Sequence, residues 1–300
     1  MQRRSRLALG IAAFGVLAGP SSSETVVPPS FLSAYEWVSD DPAHGGFSAL
    51  SLAPDGQRFT AIADRGTWVE GHFQRDQAGL IAGVTVDRQG PLRQPDGTLF
   101  PETDNDSEGL ALTGDGRAYV SFERSPRVMA FAGLDGVAAL LPQHPDFATF
   151  GDNTALEALA ADAQGQLYTL PEEAPKGGQT LPLYRLSKAG WEHAFDLPRV
   201  PGFRPVGADF GPDGLFYLLE RQFVFPFGFA SQVRRFSLPA TGNTPSAPDL
   251  VFASPLGLHD NLEGLSVWRD AAGDIRLTMI SDDNFLALQR TEIVEYRARR

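Results

Sequence analysis

One unit recurs five times along this 300-residue chain and decides what it can fold into. The copies are FSALSLAPDGQRFTAIADRG from Phe47, SEGLALTGDGRAYVSFERS from Ser107, LEALAADAQGQLYTLPEEA from Leu156, PVGADFGPDGLFYLLERQF from Pro205 and LEGLSVWRDAAGDIRLTMISDDN from Leu262. Each opens on a short apolar strand, turns at Asp-Gly or Gln-Gly in the first four copies, and returns on a second strand rich in β-formers. Glycine at such a turn accepts the positive φ that a tight hairpin demands. Further strand-like runs lie between the copies: TWVEGHFQ, AGLIAGVTV, RVMAFAG, LPLYRLS, QVRRFSL and TEIVEYRA. They suffice for two more strands per unit.

A spacing of roughly 50 residues, four short strands per unit and almost no helical periodicity are what propeller blades look like in sequence. The expected fold is all-β, a β-propeller of five blades by repeat count. A sixth blade is possible if a degenerate unit hides in an irregular stretch such as Phe223 to Ser254. A strand around Phe31 to Val38 is placed to pair beside TEIVEYR, so that the N- and C-terminal strands close the ring. A sandwich or barrel would explain short strands but not a repeated plan. A closed ring leaves no long sheet edge free, so a monomer is expected.

Ahead of the first copy, Arg3, Arg4 and Arg6 precede an apolar run from Leu7 to Gly19, then Pro20 and Ser21 to Ser23. This is the plan of a secretory signal peptide, and the run is shorter than the roughly 20 residues of a spanning helix. The expected division is a signal peptide over residues 1–23 and one propeller domain over 24–300, in the periplasm or secreted. The paired arginines admit a twin-arginine route, but RRSRL matches it poorly and ordinary secretion fits at least as well. The absence of cysteine excludes disulfides and thiolate metal sites. Without the three leader arginines, 22 basic residues face 37 acidic ones, which argues against nucleic acid or an anionic membrane as partner.

Aligned on their turns, the copies show two recurrent positions. The first holds Ser48, Glu108, Glu157, Val206 and Glu263; the second holds Asp64, Glu123, Glu172, Glu220 and Asp282. The start of one hairpin strand and the end of its partner are neighbours, and the innermost strands of a propeller surround its axis, so both sets should converge on one mouth. Asp209 is the expected inward carboxylate of the fourth unit, through a shortened strand. Crowded carboxylates raise one another's pKa values unless a cation neutralises them. One candidate is Ca²⁺, which takes six to eight oxygens; Glu108, Glu157, Glu263 and Asp209 would supply carboxylates, and Asn105, Asn153 and Asn261 amide oxygens. The other is Arg65, Arg124 and Arg221, which directly follow three of the second-position acids and could pair with them or clamp an anionic substrate. For any single acid, a backbone hydrogen bond or an inter-blade ion pair is as good an account as function. The set at equivalent positions favours a shared site.

No GxSxG elbow signals a nucleophilic serine, and Ser107 is expected to hydrogen-bond locally. His44, His72, His144, His193 and His259 show no metal-ligand spacing, although His44 and His259 precede two of the copies and could reach the mouth. RQFVFPFGF, Arg221 to Phe229, is either a loop over the mouth or a buried wedge between blades.

The ordered series GGFSAL, ADRG, SEGLAL, ER, ALEALA, LLERQF, DNLEGL and SDDNF resembles the phytase-like domain family, secreted bacterial β-propeller proteins described by an esterase-like activity of phytase. The similarity runs from about Phe31 to Tyr296. It implies a propeller that hydrolyses phosphoester or other ester bonds, with calcium as the candidate metal. By matching motif positions it points to Asp64, Arg65, Glu108, Glu123, Arg124, Glu157, Glu220, Arg221, Asn261, Glu263, Asp282, Asp283 and Asn284. The third copy departs from the pattern: Ala158 replaces the glycine of EGL, and PEEAP carries no arginine, against a symmetric arginine clamp.

The leading functional expectation is a hydrolase acting on a small anionic ester. Calcium on Glu108, Glu157 and Glu263 would bind the ester, Arg65, Arg124 and Arg221 would stabilise developing charge, and Asp64 or Asp282 would serve as general base. Two alternatives stand beside it: a metal-independent glycosidase using paired carboxylates, and a non-enzymatic propeller that binds a ligand or protein.

Overall fold

Each of the five sequence copies folds as an antiparallel hairpin, and each hairpin is the inner half of a four-stranded sheet. The computed structural model describes residues 30–151, 154–239 and 244–298; the signal peptide expected over residues 1–23 and the amide of Asn153 lie outside the described residues. Strand β1 (Phe31–Glu36) comes first and is used last. The first blade is β2 (Phe47–Leu52), β3 (Arg58–Ala63), β4 (Thr67–Arg75) and β5 (Ile81–Pro91). The second is β6 (Ser107–Leu112), β7 (Ala118–Phe122), β8 (Arg127–Phe131) and β9 (Ala138–Leu140). The third is β10 (Leu156–Ala161), β11 (Leu167–Pro171), β12 (Thr180–Ser187) and β13 (Gly190–Pro198). The fourth is β14 (Arg204–Phe210), β15 (Phe216–Val224), β16 (Gly228–Phe236) and β17 (Asp249–Ala253).

The fifth blade is β18 (Asn261–Arg269), β19 (Ile275–Asp282), β20 (Glu292–Arg297) and, outermost, β1. Ala34 opposite Val294 and Glu36 opposite Glu292 fix the register of this closure. Bidentate hydrogen bonds from Arg75 of β4 to Glu295 of β20, at 2.7 and 2.8 Å, tie the closed blade to the first. The stretch Phe223 to Ser254 contributes outer strands of the fourth blade, so the ring has five blades and not six. No helix among the described residues is long and apolar enough to cross a membrane.

The turns explain why one short pattern suffices five times. Gly56, Gly116, Gly165, Gly214 and Gly273 all have positive φ, and each amide donates to the carbonyl three residues earlier. An L side chain there would be strained. The core fills the gaps between neighbouring blades: Trp68 and Ile62 meet Leu110 and Phe122 between the first two, and Leu219 and Val206 meet Leu262 and Leu265 between the last two. Glycines let the inner strands approach this closely. A methyl group at Gly109 would lie 2.8 Å from the Glu157 carbonyl oxygen, and one at Gly264 2.8 Å from the Leu50 amide nitrogen.

All five inner hairpins slip register at the same place. The breaks fall at Phe47/Ala49, Ser107/Leu110, Leu156/Ala158, Pro205/Gly207 and Leu262/Gly264. Ser48, Glu108, Glu157, Val206 and Glu263 stand at these bulges, in the gap of the ladder. A bulge re-aims its side chain. This is how a strand that is apolar on both faces turns a carboxylate toward the axis.

Candidate functional site

The hairpin ends assemble a polar cavity of about 330 Å³ at one mouth of the ring. Three recurrent positions of the blades build it, though not every blade uses all three. The bulge supplies Glu108, Glu157 and Glu263; the residue closing the hairpin on the returning strand supplies Asp64, Glu123, Glu172, Arg221 and Asp282; the residue two before the bulge supplies Asp106 and Arg204. Asn261 occupies that third position in the fifth blade, donating to Glu263 Oε1 at 2.9 Å and to Asp282 Oδ2 at 3.3 Å while accepting from Arg221 at 2.7 Å. Arg124 and Asn284 complete the lining, so eight carboxylates face three arginines.

Burial and mutual repulsion govern the titration of these acids. Burial, then the charges of Glu157 and Glu263, push the Glu108 carboxyl well above its ordinary value; burial, then Glu172 and Glu263, do the same to Glu157. Burial raises Glu263 to about 8 against the pull of Arg221, and Asp282 to about 6. Burial with the charge of Asp282 raises Asp64 to about 7, and burial raises Glu123 to about 7. Glu172 is also raised by burial, with Arg221 and Arg204 pulling it down. Burial disfavours the Arg221 cation, yet Glu263, Glu157 and Glu172 hold it above its ordinary value. Asp64 Oδ1 is buried with no hydrogen-bond partner among the described residues.

The donor chemistry is that of a hard cation, because every side chain able to ligate here does so through oxygen. Carboxylate oxygens of Asp106, Glu108 and Glu123 lie within 4.8 Å of one another. The sequence expectation grouped Glu108 with Glu157 and Glu263. The geometry instead joins it to two acids of its own blade, while Glu263 is engaged by Asn261 and, at 3.2 Å, by Arg221.

Glu220 is not a mouth residue. It lies one place short of the hairpin end, opposite Pro205, so its side chain points to the other face, where it accepts from Arg234 twice at 2.6 Å and from Gln232. A one-residue offset reverses every side chain of a strand. Arg221 therefore holds the place at which the other four blades carry an acid, and it is not the equivalent of Arg65 and Arg124. Those two stand one place further on. Arg124 pairs with Asp106 at 2.9 Å, and Arg65 stacks 3.3 Å over the Phe285 ring outside the lining.

Asp209 is not an inward ligand either. It sits at the turn end of β14, opposite Tyr217, and accepts from the amides of Val267 and Phe210 at 2.7 and 2.8 Å, bracing the fourth blade against the fifth. Burial leads its rise to about 7. Asn105 spends its amide on the Arg65 carbonyl at 3.1 Å and does not line the cavity. Asp283 organises the loop after β19, accepting from Gly46, Phe285 and Thr291, and its neighbour Asn284 has a positive φ of 48°. Neither histidine reaches the mouth: His44 contacts the Trp37 carbonyl, and His259 lies between Tyr296 and Glu292 beside the closing strand. Asp106 and Arg204 were not singled out from sequence. Their signal is the shared place two residues before a bulge.

Five four-stranded blades around a carboxylate-lined mouth define an acid-mouthed five-bladed propeller. The chain belongs to the phytase-like family, described by esterase-like activity of phytase, whose model matches residues 42–285. A solved structure described as a bifunctional GH43-CE protein of Bacteroides eggerthii shares the fold at TM-score 0.51 and 11% identity, over 83% of this chain and 32% of that one. The PQQ-bound aldose sugar dehydrogenase of Streptomyces coelicolor aligns at TM-score 0.44 and 13% identity, over 91% and 100% of the two chains. AofleA of Arthrobotrys oligospora aligns at 0.44 and 11%, over 77% and 64%. No curated protein sequence matches.

Proposed function

We propose that the protein is an exported, metal-assisted hydrolase of phosphate or related esters, working in the acidic mouth. The observation that carries this reading is the imbalance of eight carboxylates against three arginines in one cavity. Such a set keeps its acids ionised near neutral pH only with an added cation. Ca²⁺ on Asp106, Glu108 and Glu123 would offset part of this excess, draw an anionic ester oxygen into the mouth and polarise it. The buried, unpartnered Asp64 Oδ1 fits a site built to receive a further group.

The chain's own residues supply the rest. Arg221 is held in place by Asn261, Glu263 and Glu172, so its guanidinium is ordered before a substrate anion arrives. Asp64, raised to about 7, is tuned to take a proton from water near neutral pH. That water adds to the phosphorus or carbonyl carbon, its proton passes to Asp64 and from there to the leaving oxygen as the ester bond breaks, and the alcohol is released. The phytase-like family's description agrees with ester hydrolysis.

The test is hydrolysis of para-nitrophenyl phosphate, acetate and glycosides by the purified protein, with EGTA and with added CaCl2. Turnover of phosphate or acetate should need Ca²⁺ and fall about 10²-fold or more in Asp64→Asn, the usual cost of losing a general base. Turnover indifferent to EGTA and to Asp64→Asn, or confined to glycosides, would refute the reading.

A further inference from the structure

The hairpin formed by β15 and β16 runs past the mouth and carries an apolar face that folding does not bury. Side chains alternate along β15. Leu218, Glu220 and Gln222 look toward the third blade, while Leu219, Arg221 and Phe223 look toward the fifth, as the two core clusters containing Leu218 and Leu219 show. Phe223 stands opposite Phe229 in the register, with ring centroids 4.9 Å apart, and Arg221 stands opposite Ser231 on the same face. The Arg221 guanidinium lies 6.0 Å over the Phe229 ring. The mouth's central cation thus passes without a break into an aromatic surface. Phe223 is 58% exposed, and Phe225 and Phe227 at the tip are 82% and 67% exposed. The segment is a strand hairpin and not a buried wedge between blades. Clustered exposed phenylalanines mark a surface that meets something apolar.

We propose that this face is the apolar subsite of the mouth and selects esters in which one phosphate is joined to an aryl group. The inference rests on the reading of the mouth as an anionic-ester site and adds the substrate class. Continuity with Arg221 gives the reason: an anion held by that guanidinium places its organic substituent on the Phe223–Phe229 pair. Charge gives a second. In a mouth of eight carboxylates, a substrate with several phosphates brings more negative charge among acids than three arginines can answer, whereas an aryl monophosphate brings one anionic group and leaves its uncharged part to the phenylalanines. The cavity, at about 330 Å³, suits one such head group.

Binding separates this from catalysis. With CaCl2 present, titration calorimetry of the purified protein with phenylphosphonate and methylphosphonate, which cannot be hydrolysed as esters, should show the phenyl compound binding about tenfold tighter, the scale of one partly buried ring. Phe223→Ser, a change at an exposed position, should cut that ratio to about twofold, and Leu140→Ser, at a similarly exposed residue on the outermost strand of the second blade, should leave it. Equal affinities, a ratio indifferent to Phe223→Ser, or no binding of either compound overturns the proposal. So does binding to phosphatidylcholine vesicles lost in Phe223→Ser without any aryl preference, which assigns the face to a membrane. Turnover of para-nitrophenyl phosphate, measured alongside, reports on the hydrolase alone. Its absence with the aryl preference intact sinks the hydrolase and keeps the subsite.

Discussion

In the presence of chelator the protein should become less stable as pH rises, and added calcium should blunt the trend. The sign follows from the mouth acids. A carboxyl whose pKa is raised on folding keeps a proton that the unfolded chain has already released. Between the ordinary carboxylate range and the raised values of about 6 to 8, the folded state holds the extra protons and stability falls with increasing pH. Asp64 alone, raised from 3.8 to about 7 and partly open to solvent, contributes about 1 kcal/mol per pH unit. Between pH 5 and 7 that is about 2 kcal/mol, or a fall in Tm of about 4–8 °C for a chain of this size. The other mouth acids steepen it. Asp209, remote from the mouth at about 7, adds a share that calcium leaves untouched. At 100 times its Kd, Ca²⁺ should restore about 2.7 kcal/mol near pH 8 and much less at pH 5, where its ligands must first lose protons. The assay is differential scanning fluorimetry at unit pH steps, with EGTA and with CaCl2. A chelated protein whose Tm is flat or rises from pH 5 to 7, or an equal calcium shift at pH 5 and 8, would refute this reasoning.

Three further outcomes test the frame around the mouth. Gly264→Ala places a methyl 2.8 Å from the Leu50 amide nitrogen and 2.6 Å from Ile280, so denaturant unfolding should show a loss of about 2–4 kcal/mol; Gly114→Ala, in open space, should change stability by less than about 1 kcal/mol. Glu220→Gln breaks a fully buried bidentate pair with Arg234 and should cost about 3 kcal/mol while calcium affinity, read by calorimetry, stays unchanged. A loss of calcium affinity would put Glu220 back in the mouth. Deleting residues 30–36 strips β20 of its outer partner, and size-exclusion chromatography should then show association through the bared edge.

Much of this fold was legible because its signals repeat. The turn glycines recur with the same φ sign, and TEIVEYRA, as the last strand-like run, leaves only the N-terminal segment to complete its blade. Glu108, Glu157 and Glu263 were legible because each opens a copy at the same place. Glu220 misled because the letters ER in LLERQF match those of SFERS, whereas the count does not. From bulge to hairpin end is 15 residues in the second and third blades, 108 to 123 and 157 to 172, and the same count from 206 lands on Arg221. Asp209 was misplaced for another reason. A strand-borne acid looks alike in sequence whether it faces a cavity or caps a neighbour's amides, and only the packing of the fourth blade on the fifth decides. The grouping of Asp106 with Glu108 and Glu123 depends on how far the chain before β6 folds back, which no periodicity reports.

The five bulges have a consequence for how such a ring can change. Because each bulged residue stands in a gap of the ladder, exchanging it alters the mouth while leaving most hydrogen bonds of the sheet in place. The chain already displays the outcome: serine at 48, glutamate at 108, 157 and 263, and valine at 206 share one backbone device. Three of these letters, Glu108, Glu157 and Glu263, spell the mouth, while Ser48 bonds the Ser107 carbonyl and Val206 packs in the core, and the frame is largely indifferent to the spelling. New chemistry on this scaffold calls for new letters at the bulges, with the ring left as it stands.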